Sequence, residues 1–304
     1  MENAPSAANR PSPVVAIIGA GEMGAAVGRR LRNRGARVLT SLAGRSPASI
    51  ERVRDAGLEI VDNDYALVAA ADFVLSIVPP GVAAEVAARF AGPLARAVVK
   101  PLYVECNAVS PVTTGQIEKM LAHTGCTFVD AGIIGGPPPD DSDRGPRFYA
   151  SGESADRLTA LRRFGLDIYV LDGPVGAASA LKLAYAGVTK GLIALGAATA
   201  AAAVRHGLTD VLRVELARTQ PNLLAMFDRF IPSMFPKAYR WVAEMEQIAE
   251  FLGGEAEGSA IYSGAARLYE RIAAELEQGE TAGSVAALKE FCGDARKPGE
   301  HRGN

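Results

Sequence analysis

The sequence predicts an α/β chain in two parts: a doubly wound, mainly parallel sheet followed by an all-α domain. Three observations predict it. Short apolar runs alternate with helical patterns from residue 13 to residue 172. The first run ends in a glycine-rich turn that leads straight into a helical pattern. After Gly173 the strand-like runs stop, and long alanine- and leucine-rich helical segments take over. Strand–helix alternation is the mark of a parallel sheet covered on both faces. At 304 residues the chain also exceeds what one core usually supports.

The predicted strands are Val14–Ile18, Arg37–Thr40, Phe73–Val78, Leu102–Glu105, Thr127–Val129, Phe148–Ser151 and Ile168–Leu171. Helical patterns separate several of them, at Met23–Asn33, Ala48–Ala56 and Val82–Phe90. The second part reads as helices over Ala177–Val204, Val211–Arg218, Asn222–Phe230, Ala238–Leu252, Ala260–Glu277 and Ser284–Phe291. The expected organisation is a disordered lead (1–12), a sheet domain (13–172), a helical domain (173–293) and a frayed tail (294–304).

Composition excludes several function classes. Hydrophobic residues make up 49% and charged residues 22%, ordinary for a soluble globular protein. A net charge of −2 argues against nucleic acid as a partner, because phosphate binding needs a basic surface. Cys106, Cys126 and Cys292 form no CxxC pair and have no histidine at ligand spacing, so no metal site or disulfide framework is expected. The N-terminus lacks the basic start and apolar run of a signal peptide. The apolar run Gly191–Val204 is 14 residues long, against the about 18 needed to cross a bilayer. The expectation is a cytoplasmic protein with no membrane partner.

The stretch "VVAIIGAGEMG" places Gly19, Gly21 and Gly24 in GxGxxG spacing between a strand and a helix. Gly19 permits the tight turn, Gly21 lets a pyrophosphate approach the backbone, and Gly24 allows close packing of helix on strand. Ala20, Glu22 and Met23 complete the loop. This is the Rossmann dinucleotide fingerprint, near the start of the chain where it belongs. An NAD site usually offers an acidic side chain about 20 residues on, for the ribose 2′-hydroxyl. No Asp or Glu occurs between Met23 and Ile50. The second strand leads instead into Ser41, Arg45 and Ser46, which can hold a 2′-phosphate. NADP is therefore favoured over NAD. Val78 and Pro79, at the end of the third predicted strand, are placed to touch the cofactor, which crosses strand C-termini in such sheets.

Four segments now carry a resemblance. They are "IIGAGEMG" (17–24), "VECNAVSP" (104–111), "DAGIIGG" (130–136) and "GPVGAASALKLAYA" (173–186). In order and spacing the chain resembles the β-hydroxyacid dehydrogenases, the superfamily that includes 6-phosphogluconate and 3-hydroxyisobutyrate dehydrogenases. The second segment is similar to the family's D-x-S/N-x-x-x-P, with Glu105 in place of the acid and Asn107 at the small polar position. The third is similar to the substrate loop DAPVSGG, and the fourth to G-x-x-G-x-G-x-x-x-K-x-x-x-N. Three departures stand out: Ile134 replaces the loop serine, Ala178 the third glycine, and Ala186 the asparagine after the lysine. Tyr185 stands where 6-phosphogluconate dehydrogenases carry a histidine.

The resemblance implies that Lys182 is the general acid/base. Hydride transfer at a carbinol leaves a proton to manage at oxygen, and a lysine can take it where burial lowers its pKa. On a helix Tyr185 lies about 60° and Thr189 about 20° from Lys182, so both extend a polar stripe from it. Lys190 lies about 80° away and reads as a snorkelling lysine or an anchor for a substrate anion. Gly135 and Gly136 can offer backbone N–H groups to a substrate carboxylate. Asn107 can bond a substrate hydroxyl or the nicotinamide amide, and Arg147 is a candidate carboxylate clamp. The expected activity is an NADP-preferring dehydrogenase or reductase acting on a small hydroxy-carboxylate or its keto or semialdehyde form. A 3-hydroxyacid substrate would give a 3-keto acid that loses CO₂ readily. The alternatives are imine reduction, against which Lys182 stands, and a redox sensor that holds NADPH without turnover. The long apolar helices predict a homodimer.

Overall fold

The computed structural model describes residues 12–42, 46–140, 144–279 and 283–293. It divides into two compact units, one through Leu183 and one from Ala184. The expected lead (1–12, but for Ser12) and the tail (294–304) lie outside the described residues, as does Arg45.

The first unit is built on β1 (Val14–Ile18), β2 (Arg37–Ser41), β3 (Glu59–Val61), β4 (Phe73–Ser76), β5 (Leu102–Glu105), β6 (Thr127–Ile134), β7 (Arg147–Ser151) and β8 (Asp167–Val170). They form one sheet in the order β3-β2-β1-β4-β5-β6-β7-β8. The strands from β1 to β6 run parallel, β7 is antiparallel to β6, and β8 is parallel to β7. Strand order reverses between β1 and β4, the switch point at which doubly wound sheets take ligands.

Helices α1 (Glu22–Asn33), α2 (Pro47–Asp55), α3 (Asp64–Ala70), α4 (Ala83–Arg96) and α5 (Pro111–Leu121) cover the sheet, and a ten-residue 3-10 helix spans Ala155–Phe164. Alternation along each strand sends residues to two cores. Val15, Ile17, Leu102 and Val104 pack on one face with Leu31. Ala16, Ile18 and Tyr103 pack on the other with Phe90 and Leu94. By the same alternation Glu105, Asp130 and Gly132 point to the second face.

Besides the 3-10 helix Ala155–Phe164, three elements were not visible as patterns. β3 is a three-residue edge strand without a buried residue. α3 and α5 are short, and each is announced by a cap: Asn63 accepts from the Ala66 N–H at 3.0 Å, and Ser110 from the Thr113 N–H at 3.0 Å. β6 runs five residues past its expected end, straight through Asp130 and Gly132.

α6 (Ala177–Arg205) starts in the first unit and continues into the second. The second unit then holds α7 (Thr209–Thr219), α8 (Pro221–Met234), α9 (Ala238–Phe251), α10 (Ala256–Glu277) and α11 (Ser284–Gly293). No strand occurs in it among the described residues. Glycines set the packing on α6: a Cβ on Gly196 would strike the Phe227 ring, at 2.5 Å from Cζ, and one on Gly191 would press on Tyr262 at 3.1 Å. By length and composition alone α6 could cross a membrane, unlike the shorter run read from the sequence; core helices of soluble proteins pass the same test.

Candidate active site

The glycine loop divides its labour by position. Gly19 has φ +100°, in the left-handed region, and a Cβ there would collide with the Ile77 carbonyl and lie 2.9 Å from Val78 Cγ1. A Cβ on Gly24 would collide with the Gly19 carbonyl. Gly21, the N-cap of α1, has nothing within 4 Å of a Cβ and brings no side-chain acceptor to the helix. The protein therefore leaves open space beside a helix N-terminus that its N-cap residue does not cap, as an anionic ligand requires. Ala20 is buried, Glu22 is exposed, and Met23 packs into the core. An NAD(P) pyrophosphate fits this cradle.

At the end of β2, the Ser41 hydroxyl is buried and has no hydrogen-bond partner. Ser46 caps α2 through a bond from the Ser49 N–H at 3.4 Å. Val78 is half-buried and Pro79 exposed at the end of β4.

Asn107 is 3% exposed, and the structure occupies its side chain. Its Oδ1 accepts from the Val78 N–H at 2.6 Å, and its Nδ2 donates to Ser76 Oγ at 3.1 Å and to Glu105 Oε1. Asn107 thus ties the end of β4 to the end of β5. Glu105 Oε1 also accepts the Asn107 backbone N–H at 3.2 Å, while Oε2 is buried without a partner. Burial pushes the Glu105 carboxyl up to about 8.

Glu105 is in register with Asp130 on β6, and both are fully buried. Asp130 is the anchor of α6. Its Oδ2 accepts from the Gly176 N–H (2.9 Å), the Ser179 N–H (3.0 Å) and Ser151 Oγ (3.1 Å), and its Oδ1 from Ser179 Oγ (2.7 Å). Ser151 Oγ in turn accepts from the Ala178 N–H at 3.0 Å. A carboxylate borrowed from a strand therefore caps the helix, where its charge also complements the helix dipole. Burial raises the Asp130 pKa, and the four donors oppose that rise. Ser179 Oγ also lies 2.8 Å from Thr114 Oγ1 of α5.

Two residues on from Asp130, Gly132 lies against α6. A Cβ there would sit 2.7 Å from the Ala178 carbonyl oxygen and 2.9 Å from Lys182 Cβ. Only a residue without a side chain lets α6 approach the strand at Lys182, which is itself half-buried. β6 then ends at Gly135, whose φ is +126°, and at Gly136; both are exposed.

Further along α6, in the second unit, Tyr185 is 49% exposed. Thr189 is half-buried and gives its hydroxyl to the carbonyls of Tyr185 (3.0 Å) and Ala186 (3.4 Å). Lys190 is neither a snorkelling residue nor an open anchor: it pairs with Glu244, sits 5.0 Å from the Trp241 ring centroid, and is largely buried. Burial lowers its pKa. Arg147, the candidate clamp, pairs instead with Asp167 at 2.8 Å on the surface.

Sequence reasoning placed Asp130, Gly132 and Ser179 inside two of the matching segments without giving them a role, and it missed Ser151. The signal that could have found them is a lone acid in an apolar strand, which has to meet donors somewhere.

Comparison with known proteins agrees with this architecture. Residues 14–163 match the family model described as the NAD binding domain of 6-phosphogluconate dehydrogenase, and residues 203–272 match a domain of unknown function. An uncharacterized 28.5 kDa protein of Methanothermus fervidus is 32% identical over 206 residues, covering 68% of this chain and 77% of that one. A solved structure of a conserved protein, reported as similar to 3-hydroxyacid dehydrogenases, is 32% identical with a TM-score of 0.64, covering 88% of this chain and 99% of the other. The 3-hydroxyisobutyrate dehydrogenase of Mycobacterium tuberculosis, solved with L-serine, shares the fold at 20% identity, TM-score 0.70, covering 92% and 99%.

Proposed function

The chain belongs to the β-hydroxyacid dehydrogenase superfamily, and on that premise we propose that it is an NADP-preferring oxidoreductase acting on a small hydroxy-carboxylate or its keto or semialdehyde form. The observation that carries the reading is the cradle at Gly19–Gly24, closed to side chains at both ends and open at Gly21.

In this reading the loop Gly19–Gly24 holds the pyrophosphate on the N–H groups of α1. Ser41, with its unpartnered hydroxyl, and Ser46 hold the 2′-phosphate together with Arg45. Val78 and Pro79 border the nicotinamide half. Bound nicotinamide supplies the hydride chemistry. Lys182 manages the proton, taking it from the substrate hydroxyl on Nζ in oxidation and returning it in reduction. Gly135 and Gly136 present N–H groups to the substrate carboxylate. Asn107 supports this arrangement from behind by holding the Val78 N–H. Tyr185 and Thr189 extend the polar stripe of α6, Thr189 through its orientation on the helix more than through its committed hydroxyl.

Two measurements test the proposal together. NADPH should bind at least about tenfold tighter than NADH, a difference of one power of ten in affinity; equal affinities would remove the 2′-phosphate argument. Lys182→Ala should lower turnover by about 10²–10⁴-fold with NADPH affinity unchanged. Turnover that survives the substitution would refute the assignment of Lys182.

The same reading includes a homodimer. Val188, Leu192 and Leu195 form one exposed stripe on α6, and Val211 and Val214 a second on α7. Sedimentation equilibrium that shows only monomer would remove this part.

A further inference from the structure

Glu105 and Asp130 sit side by side on adjacent strands, fully buried, on the same face of the sheet. Two carboxyl groups at such a place do not both ionise readily, because each charge lacks water and repels the other. The donors around them are divided unequally. Asp130 receives four hydrogen bonds across both of its oxygens. Glu105 receives its well-formed bonds at Oε1, both from Asn107, with Ser76 a weaker donor beside it, and its Oε2 has no partner at hydrogen-bond geometry. A carboxylate with one bare oxygen pays a full desolvation penalty, whereas a carboxylic acid leaves only a neutral hydroxyl unmatched. Asp130 therefore keeps the charge and Glu105 keeps the proton.

Among the described residues, the groups with the largest effect on Glu105 carry no positive charge; α6 brings the cation of Lys182 no closer than its packing against Gly132 of β6. From its own strand and the residue after it come Tyr103, buried and with an unpartnered hydroxyl, and the buried thiol of Cys106. From β4 comes the neutral Ser76, and from β6 the anionic Asp130. Burial holds the Tyr103 and Cys106 protons on as well.

We propose that Glu105 is a positioning residue that works as a neutral acid: it fixes Asn107, and through Asn107 the Val78 N–H, and ionisation disturbs the cofactor-facing ends of β4 and β5 through burial of a second charge beside Asp130, not through loss of the Asn107 bonds, which a carboxylate accepts more strongly. The part concerning the cofactor rests on the function proposed above; the part concerning the proton does not. Ionising Glu105 would place a second buried anion beside Asp130, the residue that caps the helix bearing Lys182.

The test compares wild type with Glu105→Gln, a neutral side chain of the same shape. In the unfolded chain the carboxyl loses its proton near 4.5, and in the folded chain near 8. Between those values folding takes up a proton, so wild-type stability falls as pH rises, and above about 8 the loss levels off. Thermal unfolding of the cofactor-free proteins from pH 5 to 9 should show the wild-type midpoint dropping relative to E105Q up to pH 8, then running parallel to it. Parallel curves throughout would overturn the proton assignment. NADPH titrations from pH 7 to 9 should show wild-type affinity weakening about fivefold or more than that of E105Q. Equal pH dependence in the two proteins would overturn the coupling to the cofactor rim. Failure of either protein to bind NADPH at any pH would refute the proposed function and leave the unfolding comparison decisive for the proton. If E105Q does not fold, the infrared band of a protonated carboxyl decides. It should be present in wild type at pH 7 and lost above pH 8, and its absence at pH 7 refutes the proposal.

Discussion

Asp130 takes both the backbone N–H and the hydroxyl of Ser179, 49 residues away, at 3.0 and 2.7 Å. One strand residue thereby closes the end of a helix from another part of the chain. Asp130→Ala would leave the Gly176 and Ser179 N–H groups buried and unanswered. At about 1–3 kcal/mol for each stranded donor, the variant should lose roughly 3–5 kcal/mol of stability. Urea denaturation measures this, and a loss below about 1 kcal/mol would show that other acceptors replace the carboxylate.

Gly132→Ala tests the close approach at Lys182. The added methyl meets the Ala178 carbonyl and Lys182 Cβ inside van der Waals contact. The helix has to move, at about 1–3 kcal/mol for overpacking. Turnover should fall tenfold or more, as misplacing a catalytic group does, while NADPH affinity stays near wild type. Full activity in this variant would mean that the position of Lys182 is not set by β6.

Gly21 and Gly24 should separate binding from folding. Gly21→Ala meets no protein atom and should leave the unfolding midpoint unchanged while weakening NADPH binding about tenfold or more. Gly24→Ala drives a methyl into the Gly19 carbonyl and should destabilise the apoprotein by more than about 1 kcal/mol. Isothermal titration and thermal unfolding distinguish the two; an apoprotein destabilised by Gly21→Ala would contradict the open cradle.

Lys190 and Glu244 should behave as one unit of the second domain. Removing the lysine alone strands a largely buried carboxylate and should cost about 3 kcal/mol. Replacing both, as in Lys190→Met with Glu244→Leu, should recover most of that loss. A double variant as unstable as the single one would mean that the Trp241 contact, rather than the pair, holds the lysine.

Much of the nucleotide-binding half was legible in the sequence because its signals are local. A strand, three spaced glycines and a helix occupy 20 residues from Val14 to Asn33, and each glycine's task follows from backbone sterics. The helices of the second unit were legible from their apolar periodicity, and their ends shifted by a few residues at most. β3 was hidden because an exposed three-residue edge strand has no apolar pattern. β6 was cut short because Asp130 and Gly132 are poor strand formers, and only the fold shows why they are there. Lys190 looked like a solvent-seeking lysine because its partner, Glu244, is 54 residues away. Asn107 looked free to meet a ligand for a similar reason: its partners Ser76 and Val78 belong to another strand end.

The caps of the first unit's helices also decide where an anion from solution can settle. α2, α3, α5 and α6 each have an internal oxygen at the N-terminus, from Ser46, Asn63, Ser110 and Asp130. α4 has no side-chain cap but continues directly from a 3-10 turn at Pro80–Val82, and α1 has glycine at its N-cap, with open space beside it. Phosphate or sulfate in a storage buffer would meet closed doors at those four helices and an open one at α1. Such buffers should therefore act as competitors of the nucleotide, and affinities measured in them would understate how well the protein binds.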